Sequence, residues 1–425
     1  MKSRFVKCHG RRTPAVAGGV CLLLGLVTAA QGQEAVRMSM ASAAAAEAQR
    51  QAASTIGYYN LKLGPTAWNF SAGLGLEYND NVNYTQNHPE GDFIFLPQIN
   101  TRLLWPVSDQ NSINLALGVG YSAYVQHSEL SRYFITPDSG LSFDLYVGDF
   151  WINLHDRVSI TENSYQDPTV AGTGNYSQLQ NTLGQATVWD LNKIILRLGY
   201  DHVNYVVLAG NQGRPDGQSE VFSSSAGYTL KPGTLLGVEL GGSLINYTTT
   251  TTNTLYSNAD QWNVGGFYDT PVSEYIHFVG HAGYTVYSPQ SSGAMTTSSE
   301  LRGFYAQLAL THRVNQYVDY SLSAGRSISV ALFGGTIDLY SVNWQANWRV
   351  LHEISLATAF VYNHGSQVIS GGETFDQYGP QITLGRALTA KLSSSLAYQL
   401  YWRDSNLPGR NYTVNMVTLS LNYRF

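Results

Sequence analysis

The 425-residue sequence predicts an all-β fold, a transmembrane antiparallel up-and-down β-barrel of about 18 strands, with 16 as the alternative count. Three observations predict it. Charged residues make up 12% of the chain while mean hydropathy is −0.15. A soluble domain carries about 25% charge and a helical membrane protein needs apolar runs of about 20 residues, whereas a barrel strand with one face in lipid and one in water averages near zero. From Thr66 onward apolar and polar residues alternate with period two, in a segment about every twenty residues. The last segment, Asn411 to Phe425, puts Val417, Leu419, Leu421, Tyr423 and Phe425 on one face and Thr418, Ser420, Asn422 and Arg424 on the other.

At the amino terminus, residues 1–32 read as a secretory signal peptide. Lys2, Arg4, Lys7, Arg11 and Arg12 form a basic region, Ala15 to Val27 is apolar, and Thr28-Ala29-Ala30 or Ala30-Gln31-Gly32 offers small residues for cleavage. Both cysteines, Cys8 and Cys21, fall inside this segment, so the mature chain is expected to have no disulfide or thiol chemistry. Loss of its five basic residues leaves 19 basic against 29 acidic residues, a net charge of about −10 that gives no attraction to nucleic acid. Residues 33–65 are read as a periplasmic amino-terminal segment, helical or disordered through its Ala-rich part, and residues 66–425 as the barrel.

The alternation is clean in the first strand, where Trp68, Phe70, Ala72, Leu74, Leu76 and Tyr78 oppose Asn69, Ser71, Gly73, Gly75, Glu77 and Asn79. Ile113 to Tyr121 and Leu392 to Trp402 repeat it, while 178–190 and 353–363 alternate less cleanly. The predicted strands are 66–79, 92–104, 112–126, 139–147, 150–162, 179–189, 193–207, 219–230, 234–248, 258–269, 274–287, 299–312, 315–330, 336–350, 353–363, 375–387, 390–403 and 411–425. Short connections such as Gly148-Asp149 and Lys231-Pro232-Gly233 alternate with longer ones rich in Asn, Ser, Thr, Gly or Pro, including 80–91 and 127–138. One expected long loop, around Phe333 to Gly335, is short. This alternation places both termini in the periplasm and the long loops outside the cell. Trp68, Trp105, Trp151, Trp189 and Trp348 near the short turns, and Trp262 and Trp402 near the long loops, are expected to form two aromatic belts.

The polar faces then line a lumen. Candidate lining residues are Glu77, Arg102, Asp144, Arg157, Arg197, Asp201, Glu239, Arg349, Lys391 and Arg403, with His155, Asp319 and Arg424 on the same faces. Opposed charges across such a pore tune which solutes pass; solvated charges, or pairs between neighbouring strands, are an equal reading of the same residues. His277 and His281, four apart on a strand, are separated by about 13 Å and so read as lumen histidines rather than metal ligands. No residue set points to catalysis, metal or a cofactor. Thr248 to Thr252 reads as a loop.

The segment Phe70 to Val82, and above all Tyr78-Asn79-Asp80-Asn81-Val82, followed by some seventeen amphipathic strands, resembles the outer-membrane β-barrel porin families of Gram-negative bacteria. The ending resembles the carboxy-terminal signature of outer-membrane barrels, which implies Leu421, Tyr423 and Phe425 as a signal for the barrel assembly machinery. The resemblance implies an integral outer-membrane protein. The expected function is a channel for passive passage of small polar solutes, without a chemical reaction. A barrel component of exopolysaccharide export or a surface barrel is the alternative, and a barrel-wall hydrolase the third. The expected partners are outer-membrane lipid, the assembly machinery, and small polar solutes or polysaccharide; no oligomeric state is assigned.

Overall fold

A computed structural model of the chain describes residues 59–161, 174–209, 215–248, 258–290, 300–330, 336–368 and 371–425. The expected signal peptide, the Ala-rich segment after it, most of the Thr-rich loop and the Phe333 to Gly335 connection lie outside them.

A three-residue strand, β1 (Leu61–Leu63), folds back on β2 (Thr66–Asn79), so the end of the expected leader already belongs to the sheet. Then follow β3 (Asp92–Pro106), β4 (Ser112–Tyr124), a single 3-10 turn (Ser128–Leu130), β5 (Arg132–Ile135), β6 (Gly140–Val147), β7 (Phe150–Thr161), β8 (Ser177–Asp190), β9 (Ile194–Ala209) and β10 (Gly217–Lys231). The second half comprises β11 (Thr234–Tyr247), β12 (Ala259–Pro271), β13 (Ile276–Pro289), β14 (Leu301–Arg313), β15 (Val318–Val330), β16 (Thr336–Arg349), β17 (Ile354–Gln367), β18 (Thr374–Ala387), β19 (Leu392–Ser405) and β20 (Tyr412–Arg424). Each strand pairs antiparallel with its neighbours, and β20 pairs with β2 from Ser71↔Arg424 to Asn79↔Met416, which closes the barrel. Closure leaves no free sheet edge, the condition for a sheet in lipid. With β1 a side hairpin and β5 and β6 two halves of one crossing, the barrel has 18 strands. The expected 139–147 and 150–162 pair as a hairpin from Val147↔Phe150, as the count of 18 requires. At the short turns, Gly148 (φ 62°) and Gly233 (φ 78°) take the left-handed backbone that a tight reversal demands.

Exposure follows the period-two pattern. Leu74, Leu76, Ile99, Leu117, Val238, Leu240, Leu308, Leu384 and Leu419 stand outward and exposed, and their neighbours face inward. Trp105, Trp262, Trp348 and Trp402 are exposed on the outer face, and Trp189 stacks on Phe150 at 4.9 Å. Trp151 departs from the expected belt. It is buried on the inward face and its Nε1–H donates to Asp144 at 3.0 Å, because it lies in the same alternation as Asn153 and His155.

Two irregularities shape the wall. The region expected as loop 127–138 contains β5, which pairs with the upper half of β4 while β6 pairs with the lower half. Between them Thr136-Pro137-Asp138-Ser139 bulges inward. Pro137 has no N–H to give a ladder; instead Thr136 N donates to the Gly118 carbonyl, and Gly118 N donates to Ser139 Oγ at 3.0 Å. The second is at β14 and β15, whose ladder runs from Arg313↔Asp319 to Ala306↔Arg326 and stops there. Arg326 Nη1 donates to the Phe304 carbonyl at 2.7 Å in place of the next strand bond, and its Nε and Nη2 donate to Asp338 at 2.9 Å each.

Candidate functional site

The inward wall carries the polar groups. On β4, β6, β7 and β9 they form one buried chain: Asn114 Nδ2 and Asn153 Nδ2 donate to Asp144 at 3.2 and 2.8 Å, His155 Nδ1 lies 2.9 Å from Asn153 Oδ1, and His155 Nε2 lies 2.9 Å from Asp201 Oδ1. His155 and Asp201 are on β7 and β9, and the residue in register between them on β8 is Gly184. A side chain there would occupy the place of the Asp201 carboxylate. Asp144 and Asp201, two of the expected lining residues, therefore face inward but are packed into the wall, 1% and 0% exposed.

The inward bulge brings two more together. Arg102 Nη2 on β3 donates to Asp138 Oδ2 at 3.2 Å, and Arg157 Nε on β7 donates to the Pro137 carbonyl at 2.6 Å. Asp138 was hidden to sequence reading because its segment scored as loop; the Pro137 before it is the signal that the strand breaks there. Both arginines thus hold a segment that the wall pushes into the lumen.

A third group lies along one row of register, Arg197–Ser225–Glu239–Gly265–Gly283–Tyr305, across β9 to β14. Tyr305 Oη donates to Glu239 Oε1 at 2.7 Å, reaching over two strands whose residues in the row are glycines, so the phenol lies flat on the wall. His281 Nδ1 is 2.8 Å from Glu239 Oε2, and His277 Nε2 is 2.7 Å from Asp269 Oδ1. The Arg197 guanidinium stands 5.8 Å from the centre of the Phe267 ring. His277 and His281 do face inward, each against its own carboxylate. Tyr305 and Asp269 went unread because their partners are supplied by register. Among the described residues no three His, Cys, Asp or Glu side chains are grouped to hold a metal ion.

The remaining expected residues are dispersed. Glu77 faces inward and accepts from Thr418 Oγ1 at 2.8 Å across the closing seam. Arg403 is 1% exposed, stacked at 3.6 Å on Phe375 and bonded through Nη2 to Glu373 Oε1 at 2.9 Å, so it is a rim anchor. Burial alone would raise the Glu373 carboxyl, but Arg403, Ser405 and Arg410 hold it below its ordinary value. Arg349 ends β16 at the short-turn rim. Lys391 lies in the turn before β19 rather than in the wall, because that strand starts at Leu392.

The mouth at the long-connection end is narrowed by segments that fold inward. Tyr84 packs edge-on against Tyr412 at 5.6 Å and shares an apolar cluster with Val414 and Met416, while Val82 packs with Ile94 and Leu130. Burial, then Tyr124, Glu77 and Tyr412, push the Tyr84 hydroxyl well above its ordinary value. The Tyr78-Asn79-Asp80-Asn81-Val82 run is the latch of this region. Asp80 accepts from Asn415 N and Nδ2 at 2.7 Å each, and Asn81 Nδ2 donates to the Thr413 carbonyl at 2.9 Å, tying the first loop to the last strand. The fully buried Asp92 carboxylate accepts from Gln126 N and His127 N, and the His127 ring bridges Asp92 (3.1 Å) and Glu90 (2.9 Å). Burial pulls the imidazole down, but the two carboxylates outweigh it and leave His127 above its ordinary value.

The family described as "Putative beta-barrel porin 2" matches residues 64–425. No curated protein matches the chain. Among solved structures, OccAB3 of Acinetobacter baumannii is similar at 11% identity over 85% of this chain and 100% of that one, with a TM-score of 0.47. OccK2 (OpdF) of Pseudomonas aeruginosa in complex with glucuronate is 10% identical over 84% and 98%, with a TM-score of 0.47. OpdO of P. aeruginosa is 11% identical over 85% and 98%, with a TM-score of 0.49. With the family match covering the whole closed barrel, the chain belongs to that β-barrel porin family, channel-forming barrels of the bacterial outer membrane.

Proposed function

We propose that small polar solutes pass passively through this barrel and that no chemical step accompanies passage. The observation that carries this reading is the inward bulge, where Asp138 is held by Arg102 while Arg157 is fixed to the neighbouring Pro137 carbonyl. A charged segment built into the lumen sets a local field where the pore is narrowed, and such a field sorts solutes by charge. Arg197 and Glu239 add a second pair of opposite charges two strands apart in one register row.

In this reading residues 1–32 direct export and are removed, residues 33–65 lead into the barrel from the periplasm, and Leu421, Tyr423 and Phe425 engage the assembly machinery. The short turns and both termini face the periplasm, and outer-membrane lipid covers the apolar outer face. Planar-bilayer recording of the purified protein tests the proposal. Steady conductance steps in KCl are expected, and the Arg102→Glu, Arg157→Glu double variant is expected to move the reversal potential in a KCl gradient toward cation preference. Absence of conductance at any voltage, or an unmoved reversal potential, removes the basis of the reading.

A further inference from the structure

On the inward face of β9 to β14 the charged and aromatic side chains form one connected group. The Arg197 guanidinium stands 5.8 Å from the centre of the Phe267 ring, the His281 ring stacks on Phe267 at 5.9 Å, and Glu239 joins His281 at 2.8 Å to the Tyr305 hydroxyl at 2.7 Å. The two aromatic rings lie along the wall. A Cβ added to Gly265 or Gly283 would run into the Tyr305 ring, and one added to Gly237 would run into the ring of Phe267. Each ring therefore turns one face to the backbone and the other to the lumen.

The two lumen faces differ. Phe267 is buried, covered by Arg197 and His281, whereas Tyr305 is part-exposed. The phenol is also fixed in place, since Asn263 bonds to the same hydroxyl that donates to Glu239. The Arg197 guanidinium makes no hydrogen bond among the described residues, although it carries five N–H donors and is part-exposed. Arg197 and Glu239 stand in one register row with only Ser225 between them.

We propose that this ledge binds the ring of an uncharged sugar. The proposal deepens the reading of the barrel as a solute channel, on which it rests, by naming the class of solute. A pyranose has a face of C–H groups and a rim of hydroxyls. The electron-rich face of a held phenol attracts the C–H groups. Hydroxyls both donate and accept, so neighbouring ones are served together by the donors of Arg197 and the carboxylate of Glu239. Charge argues against an ion in the same place. A carboxylate drawn by Arg197 meets Glu239, and a cation drawn by Glu239 meets Arg197. A few polar groups set around an aromatic surface are also the usual make-up of a small-molecule site.

Saturation-transfer NMR on the purified barrel, in a detergent without a sugar headgroup, tests this with methyl β-D-glucopyranoside as the probe. Its ring C–H protons are expected to receive saturation, and sorbitol, which has hydroxyls but no ring, is expected to receive far less. Tyr305→Ala, still heat-modifiable as a folded barrel, is expected to weaken the glucoside by about tenfold, the worth of one aromatic contact. Tyr305→Phe keeps the ring and loses the bond to Glu239, so it is expected to retain most of the binding; a residue that merely braces the wall would give the opposite order. Arg197→Gln is the second variant, expected to weaken the glucoside severalfold. Equal saturation of sorbitol, tighter binding of sodium glucuronate than of the glucoside, or binding unchanged in both Tyr305→Ala and Arg197→Gln overturns the proposal. Binding is read without current, so a barrel that conducts KCl but takes no glucoside sinks this proposal alone, and one that takes the glucoside but never conducts sinks the channel reading.

Discussion

His155 Nε2 and Asp201 Oδ1 meet at 2.9 Å although a whole strand separates their backbones, and the residue that lets them meet is Gly184. The same device recurs where Tyr305 reaches Glu239 over Gly283 and Gly265. Inward glycines in this barrel are gaps through which side chains two or three strands apart are joined, and each such link braces the wall around its circumference. Gly184→Val is therefore expected to destabilise the barrel by at least the cost of leaving a buried partner unsatisfied, about 1–3 kcal/mol. Urea unfolding in lipid vesicles measures it. An unchanged midpoint for Gly184→Val would show that the link bears no weight.

The closing seam gives a second prediction. Asp80 accepts two hydrogen bonds from Asn415, one from its backbone and one from its side chain. Asp80→Ala leaves the Asn415 backbone N–H without that partner, and the expected loss is about 1–3 kcal/mol. It should appear as a lower temperature for the gel-mobility transition from folded to unfolded barrel, and Asp80→Asn should recover part of it.

The His127 bridge predicts a pH dependence. Its value is raised by Glu90 and Asp92 above the ordinary 6.5. A raised cationic group contributes fully below its unfolded value and loses that contribution as pH rises through the folded one. The segments 80–91 and 125–131 should therefore be best ordered below pH 6.5 and loosen as pH rises through the raised His127 value. Amide exchange in these two segments is expected to speed up as pH rises beyond the intrinsic change, and the His127→Gln variant should show no such excess.

Glu239 gathers Tyr305 and His281 and shares a register row with Arg197. Glu239→Gln keeps the shape and removes the carboxylate, so the reversal potential in a KCl gradient should move toward anion preference at unchanged yield of folded barrel. A reversal potential equal to wild type would place Glu239 outside the conduction path.

Phe425 is tied to the first long strand, its N–H donating to the Phe70 carbonyl at 3.3 Å, and its ring is 53% exposed on the lipid side beside Tyr423. Phe425→Asp puts a charge at the join of first and last strands. Levels of heat-modifiable barrel in the outer membrane should fall severalfold; normal levels would count against an assembly role for this end.

Alternation alone separated Leu419 and Leu421 from Ser420 and Asn422, since a period of two needs no partner to be read. It misassigned Trp151 to the belt, because proximity to a turn says nothing of which face a residue takes. It read residues 127–138 as loop, because the four-residue strand β5 is too short to alternate visibly and is held by β4 across the sheet. It placed Lys391 in the wall by a boundary error of two residues.

The sequence by itself determined an all-β barrel of 18 or 16 crossings and the inward side of Glu77, Arg102, Arg157, Arg197 and Glu239, since the side a residue takes depends only on the order of apolar and polar residues along its own strand; the closing pair β2–β20 and the count of 18 came with the structure. Tertiary structure decided which of these meet. Strand register set Gly184 between His155 and Asp201, turned Arg403 into a rim anchor on Phe375 and Glu373, and pushed Asp138 inward between Arg102 and Arg157. Register is a relation between strands, fixed by backbone hydrogen bonds across the sheet, and no single strand carries it.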